Sequence, residues 1–111
     1  VSTPDERLSS IRKYVESRPE EAFPRYGLAM EYAKAGQLDE AHSQFEELRR
    51  RHPDYVATYY HHGMLLIKMG RKEDARRTWE EGIQICTRKG DLHTRGEIEA
   101  ALMELGSVSP P

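Results

Sequence analysis

YGLAMEYAKAGQLDEAHSQFEEL, residues 26–48, lies over YHHGMLLIKMGRKEDARRTWEEG, residues 60–82, with no gap. At this offset of 34 residues, 22–55 over 56–89 gives the identities Tyr26/Tyr60, Met30/Met64, Lys34/Lys68, Gly36/Gly70, Ala41/Ala75, Glu46/Glu80 and Glu47/Glu81. Asp39/Glu73, Glu40/Asp74 and Phe45/Trp79 are chemically alike. A fixed period of this size marks a stacked supersecondary unit, because one such unit cannot bury its apolar face alone.

Each copy reads as two helices with a short break. Apolar residues at helical spacing run over 26–35 until Gly36, and Leu38, Ala41, Phe45 and Leu48 then recur at steps of three and four over 38–51. Pro53 ends the first copy, since a residue before proline avoids the helical region. The second copy repeats the plan with Tyr59, Gly63 and Leu66, a stop at Gly70, then Ala75, Trp79, Gly82 and Ile83. Gly36 and Gly70 supply the left-handed conformation that closes a helix. The small residues Ala29, Ala41, Gly63, Ala75 and Gly82 let helices approach, and Tyr32, Phe45, Leu48, Leu66, Trp79 and Ile83 fill the gaps.

These residues resemble the tetratricopeptide repeat (TPR) family, with its period of 34. The family's small first-helix residue is matched by Ala29 and Gly63, its second-helix alanine by Ala41 and Ala75, and the aromatic four later by Phe45 and Trp79. Tyr32 and Leu28 fit the pattern, while Leu66 and His62 depart from it in the second copy. Arg25 and Tyr59 stand where the family opens with tryptophan, and Thr87 stands at the second closing proline. The resemblance implies an all-α, right-handed α-solenoid of stacked antiparallel helix pairs, about six helices, like short bacterial TPR proteins. The expected layout is an N-terminal helix in 1–19 resembling the second helix of a partial repeat, units at 20–53 and 54–89, a capping helix in 90–105 and a loose tail at 106–111. Leu8, Ile11, Tyr14 and Val15 form the first helix's stripe, and Thr3, Pro4 and Glu6 form a capping-box start. Leu92, Ile98, Leu102 and Leu105 are the capping helix's apolar residues.

Composition narrows function. Seventeen basic against 19 acidic residues leave a net charge of −2, which argues against a nucleic-acid binder. No apolar run is long enough to span a membrane. Cys86 is the single cysteine, so an internal disulfide is excluded, and a small buried role is expected for it. His42, His52, His61, His62 and His93 show no HExxH pattern, and no metal or cofactor is expected. The chain as given begins at Val1, which reads as a processed protein or an excised segment. No signal or transit segment is visible, and a cytoplasmic location is the expectation.

No catalytic constellation is present, so the chain reads as a non-enzyme. Tyr26, Met30 and Lys34, at steps of four, share one helix face away from the Leu28, Ala29 and Tyr32 stripe. Tyr60, Met64 and Lys68 repeat that ladder. By resemblance, the ladder lines the concave groove of first helices, with Phe23, Ala33 and Ile67 beside it. A protein or peptide partner laying an apolar helix face there is the leading reading, which makes the chain a scaffold or adaptor. The chain has no asparagine, so the family's lysine/asparagine clamp for acidic C-termini is absent. Two alternatives are carried. One is binding of RNA or an acidic protein by the basic runs Arg49 to Arg51, Arg71-Lys72, Arg76-Arg77 and Arg88-Lys89. The other is self-association through the groove or the capping helix.

Overall fold

The computed structural model describes residues 3–107, and its helices run α1(Pro4–Ser17), α2(Ala22–Lys34), α3(Leu38–Arg51), α4(Ala57–Lys68), α5(Lys72–Lys89) and α6(Leu92–Ser107). Among the described residues there is no strand, and the fold is all-α. Two compact units divide the chain at Tyr55/Val56, with α1–α3 in the first and α4–α6 in the second.

Helix ends follow local chemistry. Thr3 and Glu6 form the reciprocal capping box at α1, where the Glu6 N–H donates to Thr3 Oγ1 at 3.1 Å and the Thr3 N–H to Glu6 Oε1 at 2.8 Å. Gly36 and Gly70 adopt φ of 79° and 78°, the left-handed region that glycine enters without steric cost. Each allows the next N–H to reach back and close the helix, Gln37 to the Tyr32 carbonyl at 2.9 Å and Arg71 to Leu66 at 2.8 Å. Gly90 ends α5 in the same way. With Thr87 in place of a proline, nothing stops α5 earlier, and it reaches 18 residues against 14 in α3. Asp91 then opens α6 by accepting from the Thr94 N–H and hydroxyl, both at 3.0 Å. α6 continues through Gly106 to Ser107, two residues past the expected boundary; positions 108–111 of the expected tail lie outside the described residues.

In the first unit α1 packs on α2 and α2 on α3. Leu8, Val15, Leu28, Ala29, Tyr32, Ala41, Phe45 and Leu48 are buried. Tyr14 is a correction to the expected α1 stripe: it is 47% exposed, because the buried line runs through Leu8 and Val15, with Ile11 half-buried between them. Arg25, at the family's tryptophan position, is buried. Its guanidinium donates to Gln44 Oε1 at 2.9 Å and to the Pro19 carbonyl at 3.3 Å, tying α3 and the α1–α2 turn to α2. Burial, reinforced by the nearby Arg51, pulls its pKa below the ordinary arginine value.

In the second unit α5 packs against both α4 and α6. Its core joins Tyr59, Leu66, Ala75, Trp79, Ile85, Cys86, Ile98 and Leu105. A Cβ at Gly63 would lie 2.0 Å from Trp79 Nε1, and one at Gly82 would lie 2.6 Å from the Tyr59 Cβ. At both glycines, therefore, the paired helix leaves no room for a side chain. The Trp79 indole N–H donates to the Tyr60 carbonyl at 3.2 Å, so its one polar group stays bonded. Two expectations are corrected here. Ile83 is only partly buried, since Ile85 and Cys86 take the inward positions, and Leu92 is exposed at the outer start of α6.

The glycines predict opposite signs for one kind of substitution. Gly63→Ala should destabilise by about 1–3 kcal/mol, since the indole must move. Gly27→Ala should stabilise by about 0.5–1 kcal/mol, because a Cβ there meets nothing within 4 Å and glycine weakens a helix interior. Trp79→Ala should cost about 3–5 kcal/mol. Urea unfolding of the three variants checks all of this.

Candidate functional site

The α2 face carries Phe23, Tyr26, Met30, Ala33 and Lys34. Packing claims the opposite side, where Leu28, Ala29 and Tyr32 are buried. Phe23 and Lys34 are exposed, and Tyr26, Met30 and Ala33 are half-buried. The Tyr26 ring sits 5.7 Å from the Tyr55 ring at 55°. Tyr55 comes back because the chain turns at Pro53, with the Tyr55 N–H donating to the His52 carbonyl at 3.0 Å. Burial pushes the Tyr55 hydroxyl above its ordinary pKa. At the other end of the face, Lys34 lines a cleft of about 170 Å³ with Pro4, Arg7, Leu8, Glu31 and Ala35. Arg7 and Glu31 pair there at 3.0 Å.

The α4 face carries Tyr60, Met64, Ile67 and Lys68. Tyr60 and Ile67 are half-buried, Lys68 is exposed, and Met64 is 46% exposed. Met64 and Ile67 line a mainly apolar pocket of about 200 Å³ with Trp79, Ala101 and Leu105, and the exposed Lys72 and Glu104 supply its polar groups. His61, beside the ladder, stacks edge-on to Tyr60 at 5.1 Å. Burial lowers its pKa, opposed by the charge of Glu97. His62 is fully buried on the packing side, so the adjacent histidines diverge.

All nine expected residues thus keep some exposure, and in each unit taken by itself the tyrosine and methionine of the ladder are accessible. Tyr55 and the pocket residues Lys72, Trp79, Ala101, Glu104 and Leu105 were not among the expected site residues. Tyr55 aligns with Lys89 across the repeat, so the period holds no trace of its contact with Tyr26. Ala101 and Leu105 sit four apart on α6, and that spacing is the one sequence signal for a wall of the pocket.

Five arginines of the basic runs pair with carboxylates three or four residues away. Arg50 and Arg51 both bond Glu47, Arg71 and Arg77 both bond Asp74, and Arg76 approaches Glu73 at 3.6 Å. Arg51 also reaches Glu20 and the Pro19 carbonyl at 3.3 Å. This pattern makes a mixed-sign surface, which is poor in the unopposed positive field that phosphates select.

A family model described as Tetratricopeptide repeat matches residues 32–84. A tetratricopeptide repeat domain protein from Salinibacter ruber has a solution structure similar to this chain, at 35% identity and a TM-score of 0.79, covering 84% of this chain and 94% of that one. The solution structure of a Bordetella parapertussis protein shares the fold at 22% identity and a TM-score of 0.79, covering 90% of this chain and 87% of that one. A TPR repeat-containing protein of Pseudomonas aeruginosa is 24% identical over 98 residues, 88% of this chain and 93% of the relative.

The Glu47 carboxylate carries a pH prediction. Hydrogen bonds from Arg50 and Arg51 hold its pKa down, from 4.5 to about 2. A depressed folded-state pKa means that its stabilisation is present above about pH 4.5 and is lost as pH falls toward about 2. Thermal melts between those values should fall more steeply for the wild type than for Glu47→Gln, and parallel curves would refute the linkage.

Proposed function

We propose, from the premise that the chain belongs to the tetratricopeptide repeat family, that it is a non-enzymatic scaffold or adaptor that holds a peptide or a partner helix. Folds of this family generally mediate protein–protein interaction. The proposed contact residues are Phe23, Tyr26, Met30, Ala33 and Lys34 on α2, and Tyr60, Met64, Ile67 and Lys68 on α4.

The observation that carries this reading is the apolar pocket of about 200 Å³ beside Met64 and Ile67. It has room for one large aliphatic or aromatic side chain, the kind of anchor that dominates binding energy. Lys72 and Glu104 stand at it as polar groups that can orient the segment carrying the anchor. Methionine suits such a wall, since its flexible thioether repacks around different apolar shapes. On α2, in the other unit, the exposed Phe23 and the Tyr26/Tyr55 pair offer an apolar contact of their own, and Lys34 and Lys68 add positive charge after each methionine. The recognised segment is therefore an amphipathic helix with an apolar anchor and acidic flanks.

A peptide-display screen on the intact chain tests this. Binders should show a recurrent leucine, phenylalanine or tryptophan with acidic neighbours. Met64→Arg, which fills the pocket, should weaken them about ten-fold or more, and Tyr26→Ala and Lys68→Glu should weaken them too. If all three variants fold and bind undiminished, these faces are not the site.

A further inference from the structure

The outer face of α6 carries apolar residues where the exposed side of a helix is ordinarily polar. Leu92, Gly96, Ala100 and Met103 recur at steps of four, four and three, so they form one stripe. That stripe points away from Ile98 and Leu105, which are buried against the unit. Leu92 is 73% and Met103 76% exposed, among the most open large apolar side chains described. Between them, a Cβ at Gly96 meets nothing within 4 Å, so another backbone can come close.

The charges beside the stripe say what covers it. On one edge Arg95 lies toward the N-terminus of α6 and Glu99 toward the C-terminus, bonded to each other at 3.0 Å. On the other edge His93 lies toward the N-terminus, within 3.9 Å of Glu97, and Glu104 lies toward the C-terminus. Reversing the helix about the level of residue 98 exchanges Leu92 with Met103, Gly96 with Ala100, Arg95 with Glu99 and His93 with Glu104. Each apolar group then meets an apolar group, each small residue a small residue, and each basic group an acidic one. A surface that complements its own reversed copy is the requirement for an isologous two-fold contact.

We infer that the outer face of α6 pairs antiparallel with α6 of a second copy of this chain. The stripe lies on the side of α6 away from its buried residues, and its edge residue Glu104 also stands at the Met64 pocket, so dimer formation and partner binding meet at that residue. Two helices of this length bury less than the roughly 1,200 Å² of a standard interface, so the dimer is weak and concentration-dependent.

Sedimentation equilibrium of the intact chain, over tens of micromolar to about millimolar concentration, reads the association. The wild type should shift from monomer to dimer, and Ala100→Arg should remain monomeric with an unchanged melting temperature. Orientation is read by mixing Leu92→Cys protein with Met103→Cys protein under mild oxidation. Antiparallel helices bring those positions together but leave 92 about 18 Å from its own copy. The mixture should therefore cross-link between unlike chains, and neither variant should do so alone. A wild type monomeric throughout overturns the inference. So does a dimer that survives Ala100→Arg but is lost in Tyr26→Ala, which would put self-association on the ladder. Efficient cross-linking of Leu92→Cys alone would mean a parallel pair and overturn it equally.

Discussion

The second unit depends on an indole lying where another residue has no side chain. Trp79 on α5 occupies the space that any Cβ at Gly63 of α4 would need. Close approach lets the Trp79 N–H reach a backbone carbonyl of α4, at Tyr60. One residue therefore provides a large area of apolar burial and a directional tie between the paired helices. The same compression recurs at Gly82, where Tyr59 of α4 and Ile98 of α6 converge on one face of α5. α5 is thus held from two sides at positions where no larger residue fits.

The first unit reaches its packing with less compression and more polar bonding. Ala29 and Ala41 are fully buried small residues, and Phe45 takes the place of the tryptophan. Arg25 then substitutes for the aromatic residue expected at the start of α2. Gln44 and the Pro19 carbonyl accept from its two terminal nitrogens, which offsets part of the cost of burying the guanidinium. Arg51 reaches the same carbonyl from α3, so the turn between α1 and α2 is held from two helices. A departure from the repeat pattern is met here by a local hydrogen-bond network, not by a change of architecture.

These particulars explain what could be read in advance. The period of 34, the glycine stops and the small/aromatic pairs were legible because each states a local steric need: a left-handed cap, a close approach, a filled gap. Leu38–Arg51 was read to the residue for that reason, while α2 starts at Ala22, four residues before the expected run over 26–35. Misreadings came where several apolar residues compete for one inward direction. Tyr14, Ile83 and Leu92 are apolar at permitted spacing, yet Val15, Ile85 and Ile98 face inward, and one helix cannot turn all of its apolar residues to one side. The ladder faces were legible as repeated residues left over from packing. The contact of Tyr55 with Tyr26, and the wall that α6 adds to the Met64 pocket, join distant parts of the chain, and no periodicity records them.

The division of labour within each helix bears on function. The packing side of α2 and α4 is occupied by residues whose size the neighbouring helix dictates, and substitution there is penalised through overpacking or cavities. The ladder side is under less steric demand: its lysines meet solvent and its methionines are only partly covered, while its tyrosines are half-buried and packed. Identity of Met and Lys at the same positions of both copies is therefore not dictated by the core. Helix propensity does not require it either, because alanine, glutamate and glutamine serve an exposed helix face as well. In the function proposed above, these are, with the ladder tyrosines, the residues that meet the partner. In this chain they are a flat aromatic group, an adaptable thioether and a positive charge, set one turn apart on a helix whose opposite side is locked.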